Sequence, residues 1–110
     1  MIPQATLDET ASARPLRRAV VLDVRTYDEF ASGHIPDATF MPLHLVPLRV
    51  AELDRSASYV VVCESGARSA QATAYLLQQG YDARSMTGGM AAWRASARAV
   101  ETGASQSVHA

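Results

Sequence analysis

Cys63 is the only cysteine in the chain, and it opens the run Cys63-Glu64-Ser65-Gly66-Ala67-Arg68-Ser69. A short apolar segment precedes this run, and a segment with helical patterning follows it. A thiol so placed faces backbone N–H groups at a helix N-terminus, an environment that lowers a thiol pKa and cradles an anion. Ser65 and Gly66 permit a tight turn, with Gly66 free to take positive φ. Arg68 brings a planar cationic fork suited to an oxyanion or to a neighbouring carboxylate. Ser69 has the side chain to cap the helix behind it. A free cysteine at a strand end often serves only as a small buried hydrophobe. Here the small-residue loop, the arginine and the helix favour covalent chemistry on sulfur.

The elements that must hold this loop are legible from periodicity and punctuation. Ala19 to Val24 and Tyr59 to Cys63 are short, continuous and β-branched, as buried strands are. Thr39 to Met41 and Ala83 to Met86 are weaker strand candidates, and Met1 to Thr6 is a leading strand or an extended arm. Helices are expected over Leu7 to Ala13, with Thr6 and Glu9 at capping-box spacing, over Tyr27 to Ser32, and over His44 to Leu53 with Pro47 in its first turn. Two more are expected from Arg68 or Ser69 to Gln79, closed by Gly80 at C′, and from Met90 to about Ala99. Pro15 makes a helix past Arg14 unfavourable. Strands alternating with helices through short connections predict a three-layer α/β domain with a mainly parallel sheet. In such sheets, sites gather beyond the carboxyl ends of the strands. That rim would hold Asp23-Val24-Arg25, Phe40-Met41-Pro42, the Cys63 loop and Thr87-Gly88-Gly89.

Composition narrows the class. A chain of 110 residues forms one domain. All ten basic residues are arginine, and the formal net charge is −1, which argues against binding nucleic acid through bulk electrostatics. No apolar run is long enough to span a membrane, and the N-terminus carries no signal-peptide core, so a cytoplasmic location is expected. One cysteine can form neither an internal disulfide nor a C-x-x-C pair. The histidines are too scattered for a structural zinc site. Gly88-Gly89 lacks the spacing of a dinucleotide fingerprint, and no P-loop lysine exists. Neither metal nor organic cofactor is expected.

Four segments in order resemble the rhodanese family of sulfurtransferases. The Cys63 loop resembles its active-site loop. Asp23-Val24-Arg25 followed by Glu29-Phe30 resembles its first signature, and Gly33-His34-Ile35-Pro36-Asp37-Ala38 its second, in which the family usually has glycine at the place of Asp37. Gly88-Gly89-Met90-Ala91-Ala92-Trp93 resembles its closing one. The resemblance spans residues 1 to 97 and implies a rhodanese-like domain with a central parallel sheet of about five strands. Residues 98–110 are then expected to form a frayed tail. Four residues separate Cys63 from Arg68. That count resembles the sulfurtransferase branch, whereas related phosphatases have a longer loop.

The implied activity is transfer of a sulfane sulfur from thiosulfate or a related donor, through a persulfide on Cys63, to a thiophilic acceptor such as a thiol or cyanide, or a protein. The alternatives are a sulfur-carrying or regulatory module with little turnover and, less favoured, a phosphatase or arsenate reductase. Backbone N–H groups from Glu64 through Ser69 would hold the anionic sulfur. Glu64 sets a carboxylate beside the nucleophile; turned inward it opposes a thiolate, turned outward it filters substrates. Asp23 and Arg25 are expected to form a structural salt bridge, with Glu29 a partner for Arg25 at i,i+4. His34 is expected to hydrogen-bond in the turn before Pro36. Gly88 and Gly89 would let the chain pass close to the Cys63 loop. Trp93, Tyr75 and Tyr81 read as packing residues, and His44 as a surface residue near the rim.

Overall fold

A computed structural model describes residues 1–13 and 19–103. The expected break at Pro15 lies outside the described residues, as do 104–110 of the expected tail. The elements are β1 (Gln4–Ala5), α1 (Leu7–Ala13), β2 (Val20–Asp23), α2 (Tyr27–Ser32), β3 (Thr39–Phe40), α3 (Val46–Arg49), β4 (Ser58–Val62), α4 (Ala67–Gln78), β5 (Asp82–Met86) and α5 (Gly89–Ala95). The five strands form one sheet in the order β1-β5-β4-β2-β3, and every pairing is parallel. All strand carboxyl ends therefore lie along one edge, which is where the Cys63 loop leaves β4.

Alternation along the strands divides the core into two layers. Leu22, Tyr59, Val61, Cys63 and Ala83 face Ala72 and Leu76 of α4 and Val46 of α3. Val21, Val60, Val62 and Met86 face Phe30 of α2 and Met90 and Trp93 of α5, with Leu7 and Ala11 of α1 beside them. The three-layer α/β architecture is thus a direct result of continuous apolar strands that must be covered on both faces.

Helix ends follow local chemistry. Thr6 and Glu9 exchange backbone N–H and side-chain bonds of 2.8 and 3.0 Å, the reciprocal capping box at α1. After α4, Gly80 at φ 90° lets its own amide reach Leu77 O and that of Tyr81 reach Leu76 O, a Schellman closure.

Three expectations need correction. His44 to Leu53 is not one helix. Turns of 3-10 helix at Leu43–Leu45 and Val50–Glu52 flank the single α-turn of α3; Pro47, in the first turn of α3, has no N–H for the carbonyl of Leu43, which separates α3 from the turn before it. The last helix stops at Ala95 rather than near Ala99. There Ala97 takes φ 58° and occupies the C′ place that glycine usually fills, so the stop had no glycine to announce it. Fraying from residue 98 does not hold for the described part of the tail. Glu101 pairs with His34 through two 2.8 Å backbone bonds, the Gly103 amide reaches Ala31 O, and Ala99 O accepts from the Trp93 indole at 2.9 Å.

Candidate active site

Cys63 follows the last residue of β4, and its loop turns at once into α4. Gly66 caps that helix in a left-handed conformation at φ 119°. This backbone, accessible to glycine and strained for other residues, aims the Gly66 amide at Cys63 Sγ across 3.0 Å. The Ser69 hydroxyl stands 3.4 Å from the sulfur. Burial by itself pushes the Cys63 thiol up, but the Ser69 hydroxyl and the amides of Ser69, Gly66 and Ser65 outweigh it and hold the pKa below the ordinary thiol value. The sulfur is thus stabilised as an anion by uncharged donors.

Ser69 is not the helix cap that its position suggested. The helix begins earlier, at Ala67, which turns Ser69 inward to full burial. Its hydroxyl lies 3.1 Å from Gly66 O and 2.7 Å from the hydroxyl of Ser85. A hydroxyl has one proton to give. When Ser69 donates to a thiolate, Ser85 can donate to Ser69, so the two form a short relay ending on sulfur. Ser85 was not singled out in the sequence. The available signal was its polar side chain two residues beyond the buried Ala83, on the α4-facing side of β5.

The loop is fixed from outside by α5. Met90 N–H donates to Cys63 O at 2.8 Å and Ala91 N–H to Glu64 O at 3.0 Å. Gly89 makes this approach possible: a Cβ there would lie 2.5 Å from Glu64 O and 2.6 Å from Cys63 O. Gly88, at φ 77°, would place a Cβ 2.7 Å from that of Ala92. The close passage expected of the glycine pair is present.

The charged residues around the loop pair with one another. Arg25 is 1% exposed and Asp23 fully buried. The Arg25 guanidinium binds Asp23 at 2.8 to 3.2 Å, Gly33 O at 2.8 Å and Glu64 Oε1 at 3.4 Å. This is the salt bridge expected of the pair, desolvated and multiply bonded. Glu29 does not pair with Arg25. It caps α2 through Thr26 and takes a two-point contact from Arg68 at 2.7 and 2.9 Å. That contact, reinforced by Thr26, draws the Glu29 carboxyl down to about 2. Of the two roles open to Arg68, the carboxylate tie is the one present. Glu64 points neither at the thiol nor freely into water; Arg25 and Arg94 hold its carboxylate.

His34 is fully buried, and its Nδ1 donates to Phe30 O at 2.8 Å while its ring stacks on Phe30 at 3.7 Å between centroids. That is the hydrogen-bonding turn role expected of it. Asp37, where the resembled motif usually has glycine, adopts φ 67°, which gives a backbone reason for that preference. Trp93 and Tyr81 are buried packing residues, whereas Tyr75 is half-buried and His44 exposed.

Comparison with known proteins agrees with this geometry. A family model described as Rhodanese-like domain matches residues 6–96. A protein named Sulfurtransferase from Allochromatium vinosum is 48% identical over 75 residues, covering 67% of this chain and 70% of its own. Thiosulfate sulfurtransferase GlpE of Pseudomonas savastanoi is 41% identical over 88 residues, covering 79% and 83%. Among solved structures, a rhodanese-related protein from Thermoplasma volcanium superposes with a TM-score of 0.85 at 26% identity, over 90% of this chain and 97% of that one. A rhodanese-like domain protein from Staphylococcus aureus gives 0.83 at 31%, over 94% and 100%. With a matching family model across most of its length and this fold, the chain belongs to the rhodanese-like domain family.

Proposed function

We propose that the protein is a sulfurtransferase in which Cys63 carries the transferred sulfur as a persulfide. The observation that carries this reading is the Gly66 amide 3.0 Å from Cys63 Sγ at the start of α4, in a chain without another cysteine. Cys63 thiolate attacks the outer sulfur of thiosulfate or a related sulfane donor. A bond forms between the two sulfurs, the donor's sulfur–sulfur bond breaks, and its electron pair leaves on sulfite or the donor remnant. The persulfide anion stays within the amide nest and at the positive end of the α4 dipole. A thiol or cyanide then takes the outer sulfur and regenerates the thiolate, a two-step covalent cycle with ping-pong kinetics. Because a second thiol is lacking, release falls to an external acceptor, a small molecule or an acceptor protein. The names of the curated relatives support the reaction class.

The test is mass spectrometry of the intact protein after donor treatment. One added sulfur atom, located on Cys63, abolished in Cys63→Ser and discharged by cyanide, is the expected result. A preparation that turns over donor and acceptor without that adduct overturns the scheme.

A further inference from the structure

We propose that the preferred donor is a monoanionic sulfane compound with an apolar organic body, an organic thiosulfonate or persulfide, whose body lodges in a cavity beside the Cys63 loop; this rests on the persulfide reading above. The cavity measures about 580 Å³, within the size class that takes organic ligands of ~300–1,000 Å³. Val24, Leu43, Val46, Ala72 and Tyr75 supply apolar lining, and Arg25 and Arg68 add guanidinium groups to it. Val24, Val46 and Ala72 pack in the same apolar cluster as Cys63, and Arg68, five residues after the nucleophile, lines the cavity.

Charge points the same way. Among the described residues, the arginines around the loop, Arg25, Arg68 and Arg94, are engaged by Asp23, Glu29 and Glu64. Their formal charges cancel. Thiosulfate meeting a thiolate gathers three negative charges against these six described side chains, which together carry no net positive charge. A thiosulfonate gathers two, and its organic group gains by leaving water. The step balances: Cys63–S⁻ + R–SO₂–S⁻ gives Cys63–S–S⁻ + R–SO₂⁻. The sulfonyl–sulfur bond breaks, and its electron pair departs with the sulfinate.

The experiment compares benzenethiosulfonate, methanethiosulfonate and thiosulfate as donors to the full chain, with cyanide as acceptor. The first two share charge and leaving-group class and differ in apolar body. The phenyl donor should show kcat/KM about tenfold above the methyl donor, carried by KM. Gln71→Trp and Leu43→Phe both crowd the cavity from its lining and should remove most of that preference. Glu64→Gln leaves that charged set one charge positive and should raise kcat/KM for thiosulfate about threefold, more than for the phenyl donor, with the gain fading in salt. Equal values for phenyl and methyl donors, or a phenyl preference that survives in both folded cavity variants, would overturn the proposal while leaving the sulfurtransferase reading intact. Failure of all three donors to load Cys63 would instead overturn that underlying reading.

Discussion

The segments after β4 and β5 begin their helices in the same way and use them differently. Each strand leads to a left-handed glycine, Gly66 or Gly88, that caps the following helix without a side-chain bond. At α4 the amides converge on a sulfur atom, which is held below the ordinary thiol pKa. At α5 the amides of Met90 and Ala91 are spent on the carbonyls of Cys63 and Glu64. One helix start is left open to hold an anion, and the other closes on the backbone of the first. An anion site therefore needs more than a helix N-terminus: its amides must be free, and something else must fix the loop that carries the nucleophile.

Disrupting the clamp should cost most. Gly89→Ala combines a left-handed φ of 61° with a Cβ driven onto two backbone carbonyls. About 3 kcal/mol of stability should be lost in denaturant unfolding, and persulfide loading by the surviving folded fraction should slow at least ~100-fold as the loop shifts. Retained loading with only a stability loss would show that α5 braces the fold and not the loop.

The cradle is tested by Gly66→Ala. Nothing lies within 4 Å of the new Cβ, so the penalty is backbone strain alone, about 1–2 kcal/mol, relieved by turning the amide off the sulfur. Loading should slow about tenfold, and the pH midpoint of Cys63 alkylation by iodoacetamide should rise. The hydroxyl relay sharpens the contrast further. Ser69→Ala should reduce loading at neutral pH about fivefold, the worth of one ~1 kcal/mol hydrogen bond. It should move the alkylation midpoint upward, and Ser85→Ala should do the same to a smaller degree. If both variants keep the parent midpoint, the amides alone hold the thiolate.

The smallest effect belongs to the outer ring. Glu29 ionises at about 2 in the folded protein against an ordinary 4.5. Its stabilisation is fully present above the unfolded value and is lost as pH falls through the folded one. At neutral pH, Glu29→Gln should cost about 0.5 kcal/mol, since the pair is partly exposed. The gap between variant and parent should close as pH drops from about 4.5 to about 2, which unfolding curves at several pH values would reveal. A gap that stays constant with pH would mean that the carboxylate's charge contributes nothing.

Much of this was legible in the chain because the signals were local. β-branched runs gave β2 and β4, Thr6 with Glu9 gave the start of α1, Gly80 gave the end of α4, and a cysteine before a small-residue turn and a helix marked the sulfur site. Pairings among charged side chains were not legible by the same means. Glu29 stands at i,i+4 from Arg25, yet it binds Arg68, which is 39 positions away, because parallel β2 and β4 bring the starts of α2 and α4 together. Ser85 joins the sulfur relay only because β5 lies beside β4. Covalent neighbours and periodicity determine which backbone amides a thiol will meet, since those amides belong to its own loop. Which carboxylate neutralises which arginine, and what cavity opens beside the loop, depends on strand order, and strand order exists only once the sheet has closed.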